Sequence, residues 1–328
     1  MSKQRQQQTV DRLVSYTKDD TVVDPYANVS LTKKVVHGSW YRGDTINFRF
    51  REEQLRKSDE PIREFYVHGW EPHRAFVDKN TPIFVMGSCF ATHLAERLRD
   101  RGYNLVGAKS DSLMTFVSAG VNNTFAMRQF FEWVDSGIVP EGAKWNTERA
   151  AALKLDRDLR KKAREFLSRA KLFVLTLGLS EIWEDKRTGT VFWRGILKDQ
   201  FDPSVHRFRV SSVDENRENI RVIFETIKKI SPKSKVVFTL SPVPLIATFR
   251  PISCTTANSV SKAVLRVAID EALRDLNVHG RKDLHYWPSY EIVLDYFRSP
   301  FNSDCRHFPD EILNQVMDVF ETVYFTTP

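Results

Sequence analysis

Four apolar runs punctuate the chain, at 83–86, 172–177, 236–240 and 284–287, and each is nearly continuous rather than alternating. A continuous run predicts a strand covered on both faces, as in a parallel sheet enclosed by helices. Asn104 to Val106 is a shorter, weaker strand candidate. Between the runs, apolar residues return with the helical period. Ala91 to Arg101 and Thr124 to Trp133 read as amphipathic helices. Asn146 to Ala170 carries Leu155, Leu159, Ala163, Phe166 and Leu167 on one stripe, opposite a basic face. Asp214 to Ile230 turns Ile220, Ile223, Phe224 and Ile227 inward, and Ser259 to Leu276 does so with Val260, Ala263, Val264 and Val267. Asp310 to Val323 is the closing helix. Strands alternating with helices predict an α/β fold built on a doubly wound parallel sheet.

The remaining segments are irregular. Lys186 to Phe208, with its Thr-Gly-Thr, reads as a hairpin or a long loop beside the site, and Pro251 to Ala257 as a loop able to act as a lid. The first ~20 residues are polar and glutamine-rich at the front, so a mobile start is expected. Residues 21–78 are mixed; Phe48, Phe50, Phe65, Tyr66, Val67 and Trp70 suit packing on a domain face. The expected organisation is an N-terminal extension, 1–78, packing on a main α/β domain, 79–328. Two aromatic–basic clusters, Trp40-Tyr41-Arg42 and His68-Gly69-Trp70, suit either sugar stacking or edge packing, and packing is the preferred reading.

Chemistry concentrates where the first run ends. Gly87 breaks the strand, and Ser88 and Cys89 follow where a helix begins. Unpaired N–H groups and the helix dipole favour an attacking oxygen and its oxyanion there. The plain alternative is a serine that only caps the helix. Far downstream, Asp304-Cys305-Arg306-His307 places a carboxylate three residues before a histidine. On one turn, Asp304 would hold one ring nitrogen and leave the other to take a hydroxyl proton. A third stretch, Gly178-Leu179-Ser180-Glu181, follows the second run with a glycine and a polar pair. Ser88 and Ser180 would share the carboxyl edge of the sheet, where ligands gather in open parallel folds. Gly120 and Asn122 lie in a loop before the second helix, where a backbone N–H near the site and a helix cap are equally open readings. His206 is a rival base without an orienting carboxylate nearby in sequence, and Cys89 a rival nucleophile.

Gly87-Ser88-Cys89-Phe90-Ala91 spells the signature of the GSCFA family, a branch of the SGNH/GDSL-like hydrolases, and the chain resembles that family over about Thr81 to Phe320. The order of blocks is similar too. Thr239-Leu240-Ser241-Pro242-Val243-Pro244 resembles the family's Thr-Val-Ser-Pro-Val block, and Tyr286-Trp287-Pro288-Ser289-Tyr290-Glu291 its Tyr-Phe-Pro-Ser-Tyr-Glu block. Pro244-Leu245 stands where an Arg-His-like pair is usual, and Ser180 where the wider superfamily has the asparagine of Gly-x-Asn-Asp. The resemblance implies a three-layer α/β/α, SGNH/flavodoxin-like fold. It implies Ser88 as nucleophile in preference to Cys89, His307 as base and Asp304 as its orienting group. The oxyanion would be held by the Ser88 N–H, Gly120 or Asn122, and the Gly178–Ser180 block. The implied activity is an esterase or O-acyltransferase on carbohydrate-linked acyl groups, in polysaccharide metabolism. No cofactor is implied, beyond an acyl-CoA donor by analogy if the reaction is transfer. The alternative is a catalytically impaired binding or assembly module for a polysaccharide or protein partner.

Composition narrows the setting. The 328 residues suffice for one large α/β domain plus an extension, or for two small domains. No apolar run approaches the ~20 residues of a membrane helix. The opening Met-Ser-Lys-Gln-Arg-Gln-Gln-Gln has no apolar core of a secretory signal. Cys89, Cys254 and Cys305 are too scattered for a metal motif or disulfide framework, so a cytoplasmic location is expected. A net charge of +7 suits a phosphate-bearing or acidic substrate, a polyanion or an anionic surface, or simply a basic solvated exterior. It does not by itself call for nucleic acid, and none is expected as a partner. The oligomeric state is left open.

Overall fold

The computed structural model describes residues 49–106, 121–139, 141, 157–193, 195–196 and 198–326, together with two short strands at 17–18 and 21–22. Most of the expected mobile start, Gly120, and positions 146–156 of the third helix lie outside the described residues. The chain forms two compact units, 1–57 and 58–328. In the first, Thr17–Lys18 pairs antiparallel with Thr21–Val22, and Glu52–Lys57 is a helix laced by i,i+4 pairs of Glu52 with Arg56 and Glu53 with Lys57. The second carries everything below. Residues 58–78, which the sequence groups with the extension, are part of it: Phe76 and Val77 donate their N–H groups to the carbonyl of Tyr324.

Four strands make a parallel sheet, β1 (Ile83–Gly87), β2 (Leu172–Leu177), β5 (Lys235–Leu240) and β6 (Leu284–Trp287), and β3 (Glu181–Asp185) and β4 (His206–Val210) pair apart from it. Their order is β1-β2-β5-β6, with Gly87 beside Thr176 and Leu177 beside Leu240. The weak candidate at 104–106 is a single parallel bridge, Leu105 to Ile83, on the free side of β1. Counting it as the second strand, the order is 2-1-3-4-5, the flavodoxin-like arrangement, with its switch point between β1 and β2.

Strand alternation divides the side chains between two cores. Phe84, Met86, Phe173, Leu175, Val236 and Phe238 face one side. There α2 (Thr124–Ser136), α3 (Arg157–Arg169), α4 (Val213–Ile230) and α5 (Cys254–Asp275) pack on them. Ile83, Val85, Leu172, Val174 and Val237 face the other side, covered by α1 (Cys89–Asp100) and α6 (Asp310–Tyr324). Helices on both faces of a parallel sheet make the three-layer α/β/α architecture. No helix among the described residues is long and apolar enough to cross a membrane.

Caps set the helix ends. Ser212 and Glu215 form a reciprocal capping box at α4, and Asn123 caps α2 by accepting from the Ala126 N–H at 2.8 Å. The α5 stripe differs from the expected one. Its inner face is Ser261, Lys262, Leu265, Ala268, Ile269 and Ala272, while Val260 and Val267 are more than a third exposed. The helix begins at Cys254, so the irregular segment after β5 is 241–253 rather than 251–257. Between β2 and α4, β3 (Glu181–Asp185) pairs antiparallel with β4 (His206–Val210), so the hairpin begins before the stretch expected to hold it, and most of 186–208 is the connection between its strands. At the end of β6, Tyr286 donates its hydroxyl to Glu291, and the Ser289 hydroxyl donates to the Leu240 carbonyl at 2.8 Å. The Tyr-Trp-Pro-Ser-Tyr-Glu block thus ties the ends of β5 and β6 together.

Candidate active site

Gly87 has a φ of +143°, and a methyl on its Cα would stand 2.1 Å from the Thr176 carbonyl oxygen. Only glycine permits that approach of β1 to β2. Ser88 then leaves the strand extended, at φ −71° and ψ 179°, as N-cap residue of α1. Its carbonyl accepts from Ala91 and Thr92, but its hydroxyl caps nothing. Ser88 Oγ is buried with no hydrogen-bond partner among the described residues. A hydroxyl held that way forgoes about 1–3 kcal/mol. The simple capping role is therefore not the one Ser88 plays.

Two neighbouring segments meet it at the switch point. A methyl on Gly178 would stand 2.8 Å from Asn122 Cβ and 3.4 Å from Ser88 Cβ, so the bare backbone of Gly178 lies between them. The Asn122 carbonyl accepts from the N–H groups of Gly178 at 2.8 Å and Leu179 at 3.1 Å, pinning the two loops together. The helix cap is Asn123, which leaves the half-buried Asn122 amide without a hydrogen bond among the described residues. Ser180 is placed differently. It is fully buried, its N–H and hydroxyl both meet Ser261 Oγ, at 2.8 and 3.3 Å, and its carbonyl accepts from Ser211. Its hydroxyl is committed inside the fold. The Ser88 N–H also has a partner, the Thr176 carbonyl at 3.3 Å. The next groups along, the N–H of Cys89 and Phe90, carry no hydrogen bond among the described residues and open α1.

The Asp-x-x-His turn forms as its spacing predicts. His307 Nδ1 lies 2.5 Å from Asp304 Oδ2, and Asp304 Oδ1 accepts the N–H groups of Arg306 and His307 at 3.0 Å. The His307 and Arg306 amides, then the His307 ring, hold the Asp304 carboxyl down at about 2. Cys305, at φ 57°, supplies the left-handed residue that closes the turn. Phe308 meets Phe90 edge-on at 6.5 Å, and Arg306 Nε donates to the Pro244 carbonyl at 3.3 Å. The turn therefore sits against the start of α1 and the loop leaving β5. No hydrogen bond joins His307 to Ser88.

Lys262 joins this rim without having been singled out from the sequence. It is 1% exposed, and its Nζ donates to the Gly178 carbonyl at 2.7 Å and the Ser241 carbonyl at 2.8 Å. It bridges the ends of β2 and β5. Burial pushes its ammonium down to about 7; the Cys89 thiol opposes that and the Arg306 charge adds to it. The available signal was a lysine in register with Leu265 and Ile269 on α5. Cys89 itself is half-buried and packs with the α1–α6 core. His206 lies in the hairpin, 4% exposed, with Nδ1 accepting the Asp202 N–H at 3.0 Å. Among the described residues no group of three or more His, Cys, Asp or Glu side chains is placed to hold a metal ion.

A buried serine thus stands at the first strand's carboxyl end, and an Asp–His pair on a late turn packs against the same helix. The chain belongs to the GSCFA family, whose model matches residues 82–320. No curated protein matches it in sequence. Solved structures that match include a Clostridium thermocellum family 3 carbohydrate esterase, at 11% identity over 75% of this chain and 95% of that one, with a TM-score of 0.34. Another is the periplasmic domain of a Salmonella ser. Paratyphi A lipopolysaccharide acetyltransferase, at 10% identity over 75% and 84%, with a TM-score of 0.36.

Proposed function

We propose that the chain is an SGNH-like serine esterase or O-acyltransferase acting on acyl groups carried by carbohydrate. The observation that carries this reading is the Ser88 hydroxyl, buried at the switch point, not capping α1 and without a hydrogen-bond partner among the described residues. Ser88 Oγ attacks the ester carbonyl as His307 Nε2 takes its proton. The new O–C bond makes a tetrahedral oxyanion, received by the free N–H groups of Cys89 and Phe90 and the Asn122 amide. Collapse breaks the ester C–O bond, and the imidazolium returns the proton to the leaving alcohol. Asp304 holds Nδ1–H throughout and stabilises the imidazolium. Water, deprotonated by His307, then attacks the acyl-serine carbonyl, the acyl–Oγ bond breaks, and the acid leaves as Ser88 regains its proton. A sugar hydroxyl attacking in its place gives the O-acylated product; with an acyl-CoA as donor, the bond broken in the first step is the thioester C–S bond and the CoA thiol leaves with the proton. For this chemistry the 302–307 turn moves until Nε2 reaches Oγ, a tightening common between free and substrate-bound enzymes.

The carbohydrate part rests on the family resemblance and on an aromatic wall. Trp183 on β3 meets Phe249 at 4.8 Å and Phe208 at 5.5 Å, and Phe249 is largely exposed. Thr248 ties this wall to Glu181, three residues beyond Gly178. Aromatic faces suit the C–H side of a sugar ring. A second reading, a binding or assembly module with an impaired centre, is favoured by the unmade Ser88–His307 bond and the committed Ser180 hydroxyl. Hydrolysis of p-nitrophenyl acetate and of a peracetylated sugar by wild type and Ser88→Ala separates the two. The esterase reading expects a loss of at least ~1000-fold in kcat/KM; equal rates favour the binding module.

A further inference from the structure

At the amino end of the same sheet lies a cavity of about 640 Å³, walled by the starts of β5 and β6 and by the loops at 69–74 and 278–282. It is remote from the serine rim. β5 runs from Lys235 in the cavity to Leu240 beside Ser241, five steps of roughly 3.3 Å, or about 16 Å.

The charges here do not balance. Glu71 in the wall is held by Arg63 at 2.5 Å. The neighbouring Asp283 is shared by Arg281 at 2.9 Å and Lys228 at 2.8 Å. Arg74, Lys235 and Lys282 are left with no ion pair among the described residues, and all three line the cavity. Lys235 Nζ donates to the Lys282 carbonyl at 2.5 Å and stands 4.3 Å over the Phe76 ring. Burial lowers its pKa, and of its charged neighbours only Asp283 opposes Arg74, Lys228 and Lys282. Beside these cations stand two cavity-lining rings, Trp70 and His279, with centroids 5.4 Å apart at 34°; Trp70 also meets Tyr286 at 5.1 Å and 70° and packs on the core. His285, 6% exposed, completes the floor, and its Nε2 has no partner among the described residues.

Three uncompensated cations from three segments, converging on one hollow, are a ready receptor for a multiply charged anion. We propose that this cavity binds a phosphate-bearing small molecule, with the phosphate held by Arg74, Lys235 and Lys282 and an attached ring laid on Trp70. The site is separate from Ser88 and does not depend on the esterase reading.

Calorimetric titration of the full chain at low salt tests this with inorganic phosphate, glucose 1-phosphate and AMP, against glucose and adenosine as uncharged controls. The three phosphates are expected to saturate one site while the controls do not. Arg74→Ala with Lys282→Ala, both exposed positions, should weaken every phosphate by about tenfold or more. Trp70→Leu should weaken the two ring-bearing ligands and leave inorganic phosphate within about twofold. Failure of all three phosphates to saturate by about 10 mM overturns the proposal, as does unchanged affinity in the double variant. Inorganic phosphate binding as tightly as the ring-bearing ligands overturns the assignment of Trp70.

Discussion

Two neighbouring residues set the rim. Gly87 lets β1 run against Thr176, and Ser88 then presents a hydroxyl that does not cap α1 and makes no hydrogen bond among the described residues. Gly87→Ala places a Cβ 2.1 Å from a backbone oxygen at a φ that L side chains rarely adopt. It should cost on the order of 3 kcal/mol or more, read as a lower urea midpoint. An unchanged midpoint would mean that β1 and β2 are not so closely joined. The position of Ser88 was legible in the sequence, because strand, glycine, serine and helix follow directly. That its hydroxyl does not cap was not legible, since capping depends on side-chain rotamer and on where the helix begins. The same limit explains Asn122 and Asn123: adjacent asparagines look alike in sequence, and only the backbone decides which one caps.

Among elements, strands were easier to read than helix faces. The runs at 172–177 and 284–287 are strands over those same residues, because burial on both faces leaves an unbroken apolar signature. Helix α5 shows the opposite. Its sequence offers an apolar stripe through Val260 and Val267, yet it buries the stripe holding Ser261 and Lys262. The reason is local: Ser261 meets Ser180, and Lys262 supplies the donors for two strand-end carbonyls. The buried lysine makes a pH prediction. It titrates at about 7 in the folded chain, lowered from 10.5. Between those values the unfolded chain holds a proton that the folded chain has shed, so this group makes stability rise with pH. The slope is at most about 1.4 kcal/mol per pH unit. Wild type should therefore gain stability relative to Lys262→Met between pH ~7.5 and ~9 in chemical denaturation. A difference independent of pH would show that Lys262 stays charged.

Across the whole molecule, the parallel sheet has two distinct ends. Its carboxyl end gathers Ser88, Asn122, Gly178 and Lys262 around the β1–β2 switch point, with the Asp304–His307 turn packed on α1. Its amino end gathers, around a hollow, cations that make no ion pair among the described residues. The first gathering was partly legible, since the motif blocks occur in an order that a doubly wound sheet brings to one edge. The second was not: Arg74, Lys235 and Lys282 are distant in sequence, and only strand pairing makes them neighbours. The central claim is that Ser88 is a nucleophile served by His307. Its most direct test is mass-spectrometric mapping of the adduct formed by a serine-directed fluorophosphonate on the folded chain. The expected result is a single adduct on Ser88, absent in Ser88→Ala and formed at least ~100-fold more slowly in His307→Ala. A folded protein that stays unlabelled, carries the label elsewhere, or labels at an undiminished rate without His307 would contradict it.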